Sequence, residues 1–326
     1  MADKNNAALI VGVNYYEKAN ELFGCANDAT SVSKLLSTDL DTGKKNFDIK
    51  LITATDPKTA ITRRRLRDEV INLFTRKYDI ALFYFAGHGF IESKGGYLMS
   101  SECKYGDDGL STKDLMDWAN DSPSTNKIII LDCCHSGVTG NKSRTNAEAT
   151  LNNGVTILAA SGTEQYSMES GGSGVFTTLL LDGLEGGAAN LLGDITPGSI
   201  YAHIDQSLGA FEQRPIFKTH VESFISLRTV KPAIEIADLK RITELFPDKD
   251  KEFELDPSYE PRRDFPCDIP PIEENTQKFA ILQQYNRLHL LVPNAKHMFD
   301  AAIYSKSCKL TPLGKHYWKL VKKKRI

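Results

Sequence analysis

Lys127-Ile128-Ile129-Ile130-Leu131-Asp132-Cys133-Cys134-His135-Ser136-Gly137 is the stretch that decides how this chain folds. Four apolar residues in succession, three of them β-branched, specify a strand buried on both faces. The run stops abruptly at small and polar residues. In an open α/β sheet, the carboxyl ends of buried parallel strands are where ligand sites form. A second strand, Ile80-Ala81-Leu82-Phe83-Tyr84-Phe85, ends the same way, in Ala86-Gly87-His88-Gly89. One strand delivers a thiol and the other an imidazole, and as neighbours they would bring the two groups face to face.

Working outward, strand and helix patterns alternate on either side. Ala7 to Val13 reads as a buried strand, and Cys25-Ala26-Asn27-Asp28-Ala29 opens a helix with Ala29, Val32, Leu35 and Leu36 on one face. Phe47 to Ile52 is a strand. Thr59 is the expected cap of a helix striped by Ile61, Leu66, Val70, Ile71 and Phe74, with Arg63, Arg64, Arg65 and Arg67 on its wet side. Ser111 caps a helix running to Asn120. Residues 138–154 read as an exposed loop, and Val155 to Ser161 as another buried strand. Helices follow at Phe176 to Leu184 and around Ile200 to Ile204, then a last strand at Pro215 to Lys218. This order predicts an α/β fold, a mainly parallel sheet flanked by helices, ending near Arg228. Residues 229–271 hold seven prolines and many acids and read as a linker or strap. Residues 272–326 carry three helical patterns, a small helical or winged-helix-like module. The expected division is therefore 1–228, 229–271 and 272–326.

Composition narrows the function. The formal net charge of −2 gives no global basic field for nucleic acid. No apolar run nears the ~18 residues of a membrane span. The first residues lack signal-peptide features, and six cysteines, two adjacent, do not suggest a disulfide framework. The expectation is a cytoplasmic protein that needs no membrane.

A thiol becomes a nucleophile only when deprotonated, and a nearby imidazole can take the proton. Cys134 at a strand end leaves the following backbone N–H groups free for an oxyanion. Gly87 and Gly89 let the backbone around His88 approach a substrate. Amide hydrolysis through an acyl-enzyme fits this set. Cys133 reads as a small core hydrophobe. His135 is a second candidate base, although a residue adjacent in sequence points away from its neighbour. Zinc does not fit, since Cys133, Cys134 and His135 are consecutive and no CxxC or spaced histidine pair exists.

Phe85-Ala86-Gly87-His88-Gly89 followed by Leu131-Asp132-Cys133-Cys134-His135-Ser136-Gly137 resembles the caspase-like cysteine peptidases, and among them the metacaspases and their bacterial relatives. The spacing between His88 and Cys134 suits that clan. Gly12 to Tyr16, Cys25 to Ala29 and Ala159 to Gln165 extend the likeness over about residues 5 to 228. The resemblance implies Cys134 as nucleophile, rather than Cys133, and His88 as base. It also implies an oxyanion hole from the backbone N–H groups of Gly89 and Cys134. Asp132 takes the place of the acid that lines the first specificity pocket in metacaspases, with Glu164 as a second acid. Such a pocket favours Arg, then Lys, by charge-assisted hydrogen bonds. A structural bond from Asp132 to the turn is the plainer reading of that residue.

The clan's habit of cleavage after the nucleophile strand points to Lys142 and Arg144 as self-cleavage sites. Many metacaspases need calcium, and Asp107-Asp108 lends slight support, but no cofactor or metal site is assigned. The implied partners are a protein substrate, such as a pore-forming or toxic effector in a bacterial defence or cell-death pathway, and an upstream activator acting through the last module. Nucleic acid is not expected, because Tyr317 and Trp318 sit at helical spacing suited to that module's own core. The rival from another class is a catalytically silent caspase-like adaptor.

Overall fold

A computed structural model of the chain describes residues 5–40, 43–92, 95–135, 151–160, 175–210, 214–262 and 268–326, with the side chains of residues 92, 106, 134 and 135 outside that description. The chain divides into two units, Met1–Lys231 and Pro232–Ile326.

The first unit is built on β1 (Asn6–Val13), α1 (Cys25–Ser37), β2 (Asp48–Ala54), α2 (Arg63–Thr75), β3 (Ile80–Glu92), β4 (Gly95–Leu98), β5 (Leu110–Ser111), α3 (Thr112–Asp121) and β6 (Asn126–His135). It continues through β7 (Val155–Ala159), α4 (Val175–Asp182), β8 (Asp194–Ile195), α5 (Pro197–Ser207), β9 (Ile216–His220) and β10 (Arg228–Thr229). Among the described residues the main sheet runs β2-β1-β3-β6-β7-β9, with β4 and β5 appended to the end of β3. The pairings from β2 to β7 are parallel, and β9 closes the edge antiparallel to β7.

Strand alternation splits the core in two. Ala8, Ile10, Leu82, Tyr84, Ile128 and Ile130 face one way, against residues of α1, α4 and α5. Leu9, Val11, Phe83, Phe85, Ile129 and Cys133 face the other, against residues of α2 and α3. Cys133 is 5 % exposed and belongs to this second core. The central strands are buried on both sides, which is why they read as unbroken apolar runs.

The cap of α2 is Thr62 rather than Thr59: its side chain accepts from the Arg65 amide. Thr59 instead closes the preceding turn, accepting from Thr55 and Asp56 N–H groups. Both are threonines ahead of the same apolar stripe, and the turn at Asp56 claims the first. Ser111 caps α3 as expected, accepting from the Asp114 amide. Arg63, Arg64, Arg65 and Arg67 are exposed.

Residues 232–262 and 268–271 belong to the second unit rather than to a separate linker or strap. They contribute α6 (Ile236–Lys240), α7 (Ile242–Leu245) and β11 (Phe253–Glu254) to the second unit, which continues with α8 (Glu273–Arg287), β12 (Leu291–Pro293), α9 (Met298–Ile303), β13 (Ser307–Leu310) and α10 (Pro312–Lys322). β13 lies between β11 and β12, antiparallel to both. Leu239, Ile242 and Phe246 are buried along with Phe279, Leu282 and Tyr285 of α8. The Tyr285 hydroxyl donates to the Asp238 carbonyl, and Trp318 Nε1 donates to the Phe246 carbonyl at 2.6 Å. Apolar side chains spaced among the prolines thus belong to this core. No helix among the described residues is long and apolar enough to cross a membrane.

Candidate active site

The parallel ladder between β3 and β6 pairs Gly87 with Cys133, His88 with Cys134 and Gly89 with His135. Residues at one register position of adjacent strands lie about 4.8 Å apart. The backbone therefore sets His88 and Cys134 side by side at the carboxyl end of the sheet. No loop is needed to gather them, since β3 runs straight through His88 into its hairpin with β4.

Three contacts fix His88, which is half-buried. Its backbone N–H donates to the Tyr16 hydroxyl at 2.7 Å. Its ring lies 4.6 Å from the Tyr16 ring, centroid to centroid. Its Nε2 is 2.8 Å from the Asn20 carbonyl oxygen. A carbonyl can only accept, so Nε2 carries the proton and the neutral ring keeps its lone pair on Nδ1. Burial raises the Tyr16 phenol well above its ordinary pKa, so the hydroxyl stays neutral. Gly87 has a steric cause, because a Cβ there would meet the Tyr16 hydroxyl at 2.6 Å.

The loop that carries Asn20 is itself clamped by Asn14. Asn14 Oδ1 accepts from the Ala26 amide at 2.9 Å, its Nδ2 donates to the Phe23 carbonyl, and its own carbonyl accepts from Leu22. Asn14 lies in the Gly12 to Tyr16 stretch of the family likeness, and this clamp is a role its sequence position does not reveal. At Gly89, the Met99 amide bonds to the His88 carbonyl at 3.0 Å. That bond flanks the Gly89–Leu98 pair, so the Gly89 N–H points away from β4 and toward the β6 side.

Asp132 is half-buried and accepts a 2.5 Å hydrogen bond on Oδ2 from the Thr177 hydroxyl of α4. Thr177 Oγ1 also lies 2.7 Å from the Tyr84 hydroxyl. Burial is the main cause that raises the Asp132 carboxyl from 3.8 to about 6; the Thr177 bond opposes the rise and the negative charge of Asp28 adds to it. Asp28, in the first turn of α1 and 2 % exposed, is thus a second acid close to Asp132. It lies in the Cys25 to Ala29 stretch that carries the family likeness, but nothing in the sequence itself pairs it with Asp132.

Glu164, Lys142 and Arg144 lie outside the described residues. Asp107 and Asp108 lie in a single 3₁₀ turn, where Asp108 accepts from the Lys104 and Tyr105 amides. Among the described residues, no cluster of three or more His, Cys, Asp or Glu is placed to hold a metal ion.

A parallel sheet with histidine and cysteine at one register position, backed by one half-buried and one buried acid, has the layout of a cysteine hydrolase of the caspase-like class. A family profile for the caspase domain matches residues 5–224, and the chain belongs to that family of cysteine peptidases. It is 30 % identical over 145 residues to metacaspase-9 of Arabidopsis thaliana, covering 41 % of this chain and 44 % of that protein. It is 33 % identical over 84 residues to metacaspase-1 of Schizosaccharomyces pombe, covering 25 % of this chain and 20 % of that one. The chain thus spans less than half the length of these relatives. In fold it is similar to protein GSU0716 from Geobacter sulfurreducens, with a TM-score of 0.51 and 17 % identity over 70 % of this chain and all of that one.

Proposed function

We propose that the chain is a cysteine endopeptidase that cleaves protein substrates after Arg, and after Lys second, through an acyl-enzyme on Cys134. The observation that carries this reading is the shared register of His88 and Cys134, with Nε2 of His88 engaged by the Asn20 carbonyl. The lone pair on Nδ1 takes the thiol proton, and the thiolate attacks the scissile carbonyl. Backbone N–H groups of Gly89 and Cys134 receive the oxyanion. The imidazolium then returns its proton to the leaving amine, and water, deprotonated by the same nitrogen, hydrolyses the thioester.

Asp132 and Asp28 support the preference for a basic residue. Two acids in a partly desolvated site are a poor home for negative charge alone and a good one for an added cation. The mutual repulsion and burial that lift the Asp132 pKa are relieved when a guanidinium arrives. We further propose self-cleavage at Lys142 or Arg144, and a second unit that receives the activating signal in a defence or cell-death pathway; both rest on the family likeness.

The test is hydrolysis of matched peptides with Arg, Lys or Asp before the scissile bond, by wild type and Cys134→Ala, with and without calcium. Arg cleavage lost in the variant supports the reading. A preference for Asp, or activity that survives Cys134→Ala, refutes it. Silence toward every peptide, persisting in the presence of calcium and of protein substrates, favours the adaptor.

A further inference from the structure

Behind Asp132 stand two hydroxyls to which the chemistry above gives no part. Tyr84 and Thr177 are both 0 % exposed. Thr177 Oγ1 lies 2.5 Å from Asp132 Oδ2 and 2.7 Å from the Tyr84 oxygen. An ionised carboxylate has only acceptors, so the single Thr177 proton goes to Asp132. Thr177 then has none left for Tyr84, and the Tyr84 proton must make the other bond. The direction of the chain is settled: Tyr84 donates to Thr177, and Thr177 donates to Asp132. Each donor in such a series strengthens the next. Burial raises the Tyr84 phenol well above its ordinary pKa, so it remains a donor at any pH where the protein works.

A phenylalanine would fill the same core without a buried hydroxyl to satisfy. Among the described residues, the hydroxyl's one hydrogen-bond partner is Thr177, which leads directly to the pocket acid. We propose that Tyr84 and Thr177 are positioning residues that hold the Asp132 carboxylate by Oδ2 and leave Oδ1 for the cation of the substrate. The proposal rests on the reading of Asp132 as the pocket acid and adds which residues orient it. It also predicts a direction of selectivity. A planar guanidinium benefits from a carboxylate of fixed orientation, whereas an ammonium is a point charge with freely rotating donors. The relay therefore favours Arg over Lys.

Steady-state kinetics on matched Arg and Lys peptides test this with Thr177→Val, Thr177→Ser, Tyr84→Phe and Asp132→Asn. Thr177→Val is expected to raise KM for the Arg peptide about tenfold, the loss of one hydrogen bond to a charged group, with kcat nearly unchanged. The Arg-to-Lys ratio falls with it. Thr177→Ser restores both, and Tyr84→Phe shifts both the same way by less. An unchanged ratio in Thr177→Val and Tyr84→Phe, or equal losses on both peptides without rescue by serine, overturns the proposal in favour of helix packing alone. Should Thr177→Val fail to fold, Tyr84→Phe, which keeps the ring, decides by the same ratio. Asp132→Asn separates the two levels. If it keeps the Arg preference, the pocket reading fails and the relay falls with it. If it loses the preference while Thr177→Val and Tyr84→Phe keep it, the relay alone fails.

Discussion

Replacing Asp132 by Asn should make the protein more stable at neutral pH while it removes the preference for basic substrates. The carboxyl's pKa rises from 3.8 to about 6 on folding, chiefly through burial. Between those values the folded state binds more protons than the unfolded state, so stability falls as pH climbs from about 4 to 6. Above about pH 7 the folded chain carries the full penalty of the ionised form. About two pKa units at 1.36 kcal/mol each give a penalty of roughly 3 kcal/mol. Asparagine keeps the shape and the acceptor for Thr177 but carries no charge. The variant should therefore be more stable by about 2–3 kcal/mol at pH 8, a gap that shrinks through pH 6 and vanishes near pH 4. For a domain of this size that gap corresponds to roughly 5–10 °C in Tm, measured by scanning calorimetry at a series of pH values. A pH-independent gap, or a variant less stable than wild type at pH 8, refutes the reasoning, because the carboxylate would then be stabilising the fold.

Three further predictions concern the scaffold. Tyr16→Phe removes the acceptor of the His88 N–H, and kcat/KM on the Arg peptide should fall about tenfold, with roughly 1–3 kcal/mol of stability lost in denaturant titration, because the amide is left unpaired. Gly12→Ala drives a Cβ to 2.3 Å from the Cys25 carbonyl oxygen and 2.8 Å from the Ala29 Cβ. This separates β1 from α1, and roughly 3 kcal/mol of destabilisation is expected in the same titration. Gly314→Ala places a Cβ 1.9 Å from the Leu290 carbonyl oxygen; hydrogen exchange should show faster amides in α8, β13 and α10 while Val11, Phe83 and Ile129 in the first unit stay protected.

The parallel sheet was legible because its central strands carry apolar runs buried on both faces, a pattern no amphipathic helix imitates. The ends of β3 and β6 were legible for the complementary reason: glycine, histidine and cysteine break the apolar runs there. Asp28 was not legible as a neighbour of Asp132, since that proximity arises only when α1 packs on the sheet. Tyr84 was invisible too, because a tyrosine in an apolar run reads as core, and only the position of Thr177 gives its hydroxyl a destination. Residues 232–271 misled through their prolines. The pairing of β11 with β13 joins residues some fifty positions apart, and strands of two to four residues leave too little periodicity to read.

One arrangement at the histidine bears on how this protein can vary. The acceptor that orients the ring is the main-chain carbonyl of Asn20, an atom that every amino acid possesses. No exchange of side chain at position 20 deletes it, so a mutational scan would pass over the position and a comparison of related chains would find no shared residue type there. What inheritance must preserve is the path of the backbone, and that duty falls on Asn14, whose side chain and carbonyl tie the loop down. The histidine's third partner is thus encoded at a distance, in a residue that never touches the ring, and the site can tolerate drift where it looks most exposed while being vulnerable six residues earlier.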